Sequence, residues 1–553
     1  MLQRLLPASA AVPVWRRAGI RMLETRLQAE STTPLMDLAG LSTARLALAV
    51  APHAHRIWIA AGPGNNGGDG LEAALHLHRW GKAVHVSLLG EPAQLPKDAA
   101  RALERARLAG VPIQTGRSTL PPELGPQDLC IDALLGIGAT RAPQGALLEA
   151  IGYLRSSPAQ VLAIDIPTGL DADSGQPLGP PEAVVHADHT LTLLGAKPGL
   201  FMSHGRDACG ALWLAPLVTT ADLINGCPPD AELNPLQPPA RRRHASHKGS
   251  HGDVAIVGGD TGMTGAALLA AQAALHGGAG RLLLSLLDAD ACAHPLPFDF
   301  MRRDIDALDL RQLTVVAGCG GGYRIAQVLG RLLQHSPRLV LDADALNRLS
   351  EDPWLHDLLH QRAARQQATV LTPHPLEAAR LLGITTEQVQ GDRLEAAQAL
   401  AERFACCVVL KGSGTVIAMP GHKRLKLRED ALAMTGATAV QPVGAETGKH
   451  YAEPLAGSIA QSLPFDTLVF LHEGPELTWE PITGAARFAM LEDDHHTQEI
   501  YAEAVRPTLA EQFGMRARLA GQLRMARLVR PRSTAGFEAS LAFVADRIRE
   551  DAA

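Results

Sequence analysis

Aromatic residues are scarce: Phe, Trp and Tyr make up 4% of the 553 residues. A core with so few rings has to be built from Ala, Leu, Val and Ile, and an apolar content of 46% supplies them. That content, beside 20% charged residues, excludes a largely disordered chain. A charge excess is also missing. The 51 basic and 57 acidic residues give a formal net charge of -6, which argues against a nucleic-acid binder held on by bulk positive charge. No window approaches the roughly 18 uncharged apolar residues of a membrane-spanning helix, so no membrane partner is expected. The seven cysteines (Cys130, Cys209, Cys227, Cys292, Cys319, Cys406 and Cys407) form no C-x-x-C, and no His pair stands at zinc spacing beside them. A disulfide framework and a structural zinc site are thereby unexpected, and a reducing, cytoplasmic location fits. The N-terminal stretch is basic and poor in acids, which superficially suggests a transit peptide. Apolar helical spacing running on toward Leu35 favours an ordinary first helix, with Arg16, Arg17 and Arg21 on its wet face.

What the chain has in quantity is glycine, 52 residues beside 38 prolines. Its length predicts more than one domain. From about 55 to 215, short apolar runs alternate with Ala/Leu-rich helical stretches. Arg56–Ala61, Val84–Leu89, Asp128–Asp132, Val161–Ile166 and His189–Leu194 read as strands, and Leu71–Trp80 and Lys97–Leu108 as helices. This is the rhythm of a parallel sheet covered on both faces. Cys227–His244, with five prolines and no periodicity, reads as a linker. The rhythm then restarts through Asp253–Gly258, Arg281–Ser285, Leu313–Gly318, Arg338–Asp342, Thr369–Thr372 and Cys407–Lys411. Beyond about Gly421 the pattern is lost. Ala437–Gly444 and Thr467–Leu471 are weak strand candidates, Ala502–Phe513 and Ser540–Arg549 read as helices, and Glu492–His496 reads as a solvated charged turn.

The glycines gather at strand ends. The first strand runs into Gly62-Pro63-Gly64-Asn65-Asn66-Gly67-Gly68-Asp69-Gly70 and straight on into a helix. Five glycines in nine positions allow positive φ angles and bring backbone N–H groups close to an anion at a helix N-terminus. Two Asn and an Asp add oxygens suited to a cation.

This nonapeptide resembles the NAD(P)H-hydrate epimerase domain, the N-terminal half of bifunctional NAD(P)H-hydrate repair enzymes. Asp132–Gly138 continuing through Ala142, Ile164–Leu170 and Ala196-Lys197-Pro198-Gly199 look like the family's later loops, in order. The resemblance implies a Rossmann-like three-layer domain over 1–226. It implies a potassium ion held by Asn66, Asp132 and Thr168, all hard oxygen ligands. It also implies that Asn65, Asn66, Gly67, Gly68 and Asp69, then Gly136, Ile137, Gly138, Ala139, Thr140, Arg141 and Ala142, and Asp165 contact a hydrated nicotinamide nucleotide. The expected reaction interconverts the R and S forms at ring carbon 6. That carbon bears both oxygen and nitrogen, so loss and return of hydroxide needs only proton shuttling. Asp165 is the candidate acid–base and Lys197 its electrostatic helper.

The second rhythm carries Val257–Ala267, Val316–Gly322, Leu341–Asn347, Thr372–Glu377 and Leu410–Thr415. These resemble the ADP-dependent NAD(P)H-hydrate dehydratase domain, a ribokinase-like α/β fold, here over 245–421 after a linker at 227–244. The resemblance implies that Ala267, Gly322 and His374 contact the hydrate, and that Lys411, Gly412, Ser413, Gly414 and Thr415 bind ADP, with magnesium compatible. A homo-oligomer is a family-level expectation. The chain departs from the pattern in one place. The family's G-T-G-D helix start, whose Asp is the base for phosphoryl transfer, is not found between Gly421 and Ala553. Residues 422–553 are therefore read as an unassigned, divergent region, and the dehydratase half as weak or inactive. A small-molecule kinase suffers from the same missing loop. A scaffold that reuses the epimerase fold has no need of the cation-site oxygens.

Overall fold

The computed structural model describes residues 2–6, 10–31, 33–116, 123–235, 244–288, 299–422 and 425–428. Beyond these it describes the short stretches 442–443, 449–450, 467–473, 476–483 and 524–530 together with residue 543. One compact unit spans Met1–Ala439 and another Val440–Ala553. The first contains two sheets.

The eight-stranded sheet has the spatial order Gln3–Arg4, Ala211–Ala215, His189–Leu193, Gln160–Ile164, Leu129–Ala133, Ile57–Ala61, Val84–Leu88, Ile113–Thr115. All neighbours are parallel except the first pair. Every residue of Ile57–Ala61 and of Leu129–Ala133 is buried, as expected where helices cover both faces. The order reverses between these two strands. Ligands of open α/β sheets bind in the crevice at such a switch point, outside the carboxyl ends of the strands. Here the crevice is bounded by the loop after Ala61 and the loop after Ala133.

The second sheet has eleven strands. Phe300–Arg302, Arg281–Leu286, Asp253–Gly258, Thr314–Ala317, Arg338–Leu341, Ala368–Leu371 and Cys407–Leu410 lie parallel, and Thr415–Ala418 and Leu425–Arg428 continue antiparallel. Its order also reverses, between Asp253–Gly258 and Thr314–Ala317. The strands expected in the two sheets lie within two residues of where they were placed, whereas Gln3–Arg4, Ile113–Thr115, Ala211–Ala215, Phe300–Arg302, Thr415–Ala418 and Leu425–Arg428 were not expected.

Three expectations need correction. Cys227–His244 is not all linker, because Ala231–Leu233 is a strand that pairs parallel with Leu425–Leu427. Ala231 and Leu233 are fully buried while Glu232 faces outward, a period-2 pattern too short to stand out among prolines. The N-terminus is not one helix. Val12–Val14 is a strand pairing antiparallel with Ala231–Leu233, so it closes the edge of the second sheet. Helices Arg17–Glu30 and Leu35–Val50 follow, separated around Pro34, which cannot continue a helix. Arg16 and Arg17 are not on a wet face. Arg16 forks onto both oxygens of Asp392 at 2.7 Å, and Arg17 pairs with Asp171 and donates its amide to Asp173 at 2.6 Å. Finally, the sheet order extends past residue 421 through Leu425–Arg428.

In the second unit, Thr467–Glu473 lies parallel to Arg524–Arg530, which pairs antiparallel with Thr478–Pro481. Pro442–Val443 pairs with Lys449–His450. The expected helices Ala502–Phe513 and Ser540–Arg549 and the turn Glu492–His496 lie outside the described residues, residue 543 excepted.

Candidate active sites

The first crevice owes its shape to glycine, but not through positive φ. None of Gly62, Gly64, Gly67, Gly68 and Gly70 adopts it. They serve close approach instead. A Cβ on Gly62 would stand 1.9 Å from the Leu134 carbonyl oxygen, one on Gly67 2.0 Å from the Gly62 oxygen, and one on Gly70 2.5 Å from Ala133 Cβ. Consequently the helix begins at Asn65, earlier than the apolar spacing from Leu71 suggests, and spans Asn65–Arg79. Asn65, Asn66, Gly67, Gly68 and Asp69 are its first turns, at the switch point, where unpaired amides favour an anion. Low helix propensity at these positions is overridden by packing.

Behind the helix start lies a cluster of buried polar groups. Asp132 is fully buried at the end of Leu129–Ala133. Its Oδ1 accepts from the Thr168 hydroxyl at 2.8 Å and the Leu134 amide at 3.2 Å, and its Oδ2 accepts from the Thr168 amide at 2.8 Å. Burial pushes the Asp132 carboxyl up to about 6, against the pull of those bonds. The Thr168 oxygen also accepts from the Leu135 amide at 3.0 Å. Asn66 Oδ1 and Asp165 Oδ2 converge on Gly136, 3.2 and 2.9 Å from where its Cβ would be, so only glycine leaves them both room.

Asp165 follows the strand Gln160–Ile164 with φ +70, a conformation that costs a non-glycine residue about 1 kcal/mol or more. It is held there by its amide bond to Leu191 O (2.7 Å), by the Ile137 amide on Oδ2 (3.0 Å), and by Lys197 on Oδ1 (2.5 Å). Lys197 is fully buried. Its other two protons reach Thr192 Oγ1 at 2.9 Å and Leu193 O at 2.7 Å, so all three donors are used. Gly138, Ala139, Thr140, Arg141 and Ala142 line a cavity of about 490 Å³ with Leu135, Pro143, Gln144 and Leu147.

One participant has no motif. Glu24, on the helix Arg17–Glu30, is half-buried; burial and the nearby Asp165 charge raise its carboxyl. Asp69 is held well above the usual range by burial, then by Asp165, Glu24 and Glu72. The helical spacing of Ile20, Leu23 and Leu27, all buried, would have shown that Glu24 shares their inner face.

The second crevice uses glycine differently. Gly320 and Gly322 have φ +60 and +54, which seat Gly322 against Asp260, and the Gly322 amide donates to Asp344 at 2.9 Å. Ala267 is fully buried beneath Gly259. His374 caps the helix Pro375–Leu382: Nδ1 accepts from the Leu376 and Glu377 amides, both at 3.2 Å, and Nε2 meets Glu377 at 3.2 Å. Lys411 reaches Asp342 Oδ1 at 2.6 Å, which also accepts from the Thr372 hydroxyl at 2.9 Å. Ser413 and Gly414 are not an open loop. The Ser413 hydroxyl donates to Ser203 O at 2.7 Å, Gly414 packs on Met202, and Thr415 is buried. Arg393, invisible to pattern reading, is also buried and donates to the carbonyls of Leu410, Lys411 and Gly414 at 3.0–3.1 Å. It thus fixes the whole Lys411–Thr415 turn.

Two family models cover these two halves: YjeF-related protein N-terminus over residues 32–199 and NAD(P)H-hydrate dehydratase over 254–437. A bifunctional NAD(P)H-hydrate repair enzyme, Nnr, of Escherichia coli K12 is 35% identical over 440 residues, covering 74% of this chain and 80% of that one. The chain belongs to the bifunctional NAD(P)H-hydrate repair enzymes. The Leishmania braziliensis member is 33% identical over 446 residues, with 73% and 78% covered. A solved ADP/ATP-dependent NAD(P)H-hydrate dehydratase from Bacillus subtilis, co-crystallised with ATP and Mg2+, aligns with 34% of this chain and 66% of its own at 26% identity and a TM-score of 0.28. The repair-enzyme likeness runs on to residue 437, past Gly421 where the sequence reading ended it.

Proposed function

We propose that the first crevice interconverts R- and S-hydrates of NADH and NADPH at ring carbon 6, and that the second serves ADP-dependent dehydration of the S-hydrate. The observation that carries the first assignment is the buried Lys197–Asp165 pair beside a helix N-terminus at a switch point. The Asn65–Asp69 amides meet the nucleotide phosphates, and Gly136–Ala142 frame the ring. As hydroxide leaves, the ring nitrogen becomes cationic, and the Asp165 carboxylate stabilises it. Asn66, Asp132 and Thr168 fit a potassium ion: one buried carboxylate, one hydroxyl and one amide oxygen, too little charge for a tight divalent site. Bound there, the ion would supply fixed positive charge behind the helix start.

In the second crevice Lys411 would meet the ADP phosphates, with magnesium neutralising them, and Gly322 and His374 would border the hydrate. No G-x-G-D base follows, which favours an epimerase whose second half is slow. The domain limits are 1–226, 227–244, 245–421 and 422–553, and the enzyme is a cytoplasmic homo-oligomer. Separately prepared R- and S-hydrates, incubated with and without ADP and potassium, test this. Equilibration of R with S is expected without ADP. If R and S stay apart, the epimerase reading fails, and if ADP restores reduced-nicotinamide absorbance quickly, the slow-dehydratase reading fails.

A further inference from the structure

The Lys411–Thr415 turn of the second crevice is built partly from the other half of the chain. The Ser413 hydroxyl donates to the Ser203 carbonyl at 2.7 Å, and the Ser203 amide donates to the Ser413 carbonyl at 3.3 Å. Both backbone groups of Ser203 are thus spent on one residue of the turn. Gly414, at φ +72, lies against Met202 and the Phe201 carbonyl, where an added Cβ would meet them at 2.5 and 2.6 Å. Ser203 itself holds φ +52, a conformation that costs a residue with a side chain about 1 kcal/mol or more and persists only where its surroundings fix it. The paired hydrogen bonds to Ser413 do part of that fixing.

The segment that carries Ser203 starts in the first crevice. Lys197, six residues earlier, meets Asp165 at 2.5 Å. Between them Pro198–Leu200 forms a short 3-10 helix, and Pro198 through Met202 are buried. The Gly199 amide donates to Ala172 O at 2.8 Å, the Leu200 amide to Lys197 O at 3.2 Å and the Phe201 amide to Pro198 O at 3.0 Å. A close-packed segment braced this way passes a displacement from one end to the other. Consecutive arginines span the same boundary. Arg17 pairs with Asp171, next to Ala172. Arg16 forks onto Asp392, the N-cap of the helix whose first residue, Arg393, holds the carbonyls of Leu410, Lys411 and Gly414.

We propose that Ser203 is a positioning residue for the nucleotide turn, and that ADP seated on this turn promotes epimerisation through Ser203 and Lys197. This rests on the two-crevice reading above. ADP on Lys411–Thr415 restricts Ser413, and through the paired hydrogen bonds it restricts Ser203. The Lys197 end of the segment is then held in the arrangement that meets Asp165. Each site binds better when the other is occupied, because the shared segment is ordered once for both. No bond is made or broken in this coupling; ADP acts as a ligand. The second half, even without a G-x-G-D base, thereby serves the first as a nucleotide sensor.

The test follows initial R-to-S rates of the full-length protein against ADP concentration, with ADP binding measured by calorimetry. Saturating ADP is expected to raise kcat/KM for the R-hydrate by about 5-fold or more, with half of the effect at the calorimetric Kd. Ser203→Gly relieves the positive φ and lets the segment relax. Its ADP-free kcat/KM should stay within about 3-fold of the parent, while the ADP enhancement falls below about 2-fold. Lys411→Met should lose ADP binding and the enhancement together. In a parent that binds ADP and equilibrates R with S, a kcat/KM that ADP leaves unchanged, or lowers by competing with the hydrate, would overturn the proposal. So would an enhancement that survives intact in Ser203→Gly or Lys411→Met. A parent that binds no ADP defeats the nucleotide reading of the turn, one that leaves R and S apart defeats the epimerase reading, and the coupling falls with either.

Discussion

Gly62→Ala isolates the use this protein makes of glycine. A Cβ at residue 62 would lie 1.9 Å from the Leu134 carbonyl oxygen and 2.7 Å from its carbon. Ordinary contact needs about 3.5 Å, so the loop after Ala133 would retreat by roughly 1.5 Å. Both neighbours are backbone, so no side chain can swing aside. Overpacking of this kind costs about 1–3 kcal/mol, which for a unit as large as Met1–Ala439 lowers Tm by about 1–3 °C. The same displacement carries Gly136 and Ile137 away from Asp165, and a shift near 1 Å in a catalytic site costs about 100-fold in rate. Gly64→Ala is the internal control: φ there is -110 and nothing lies within 4 Å of an added Cβ. Its expected cost is below about 1 kcal/mol, with an almost unchanged rate. Differential scanning calorimetry and R/S equilibration assays read both quantities. If Gly62→Ala melts and equilibrates like Gly64→Ala, the close-approach account of this loop is wrong.

Lys197→Met strips Asp165 of its buried ion-pair partner and should cost about 3–5 kcal/mol, and adding Asp165→Asn should restore Tm but not epimerase activity. Arg393→Met strips three carbonyls of their donor, so Tm should fall by several degrees and calorimetric ADP binding should weaken at least 10-fold. Burial pushes the Cys130 thiol up to about 11 and those of Cys209 and Cys406 up to about 12. At pH 8 their thiolate fractions are then about 0.001 or less, against about a quarter in the unfolded chain. Iodoacetamide mapped by peptide mass spectrometry should mark these three only after denaturant is added, and rapid native labelling would refute their burial.

The buried strands were legible because parallel strands covered on both faces leave unbroken apolar runs, as in Ile57–Ala61 and Leu129–Ala133. Val12–Val14 and Ala231–Leu233 were not, because each is three residues long and exists only through a partner more than 190 positions away. The helix start at Asn65 was hidden by residues that disfavour helices and are held in one by contact with Gly62, Ala133 and Met36. Asp165 and Lys197 stood out by motif, and their bond closes across 32 positions. Glu24 sits in a stretch whose charges look solvated from the sequence alone. Ser413 reads as part of a nucleotide loop, yet its partner is Ser203.

The pairing of Val12–Val14 with Ala231–Leu233, itself paired with Leu425–Leu427, has a consequence for how the protein is made. The segment Val12–Val14 contributes to the last edge of the second sheet, so that edge cannot close until more than four hundred further residues are synthesised. Until then Val12, Val14 and Trp15 lack their full cover, and the helix carrying Glu24 hangs from an unfinished border. Contacts of such sequence separation form late and leave sticky surface exposed meanwhile. A gene cut at the apparent junction near residue 226 would release two pieces that each keep a sheet but share an orphaned edge. The two catalytic halves are therefore one object for biosynthesis, whatever their separate chemistries.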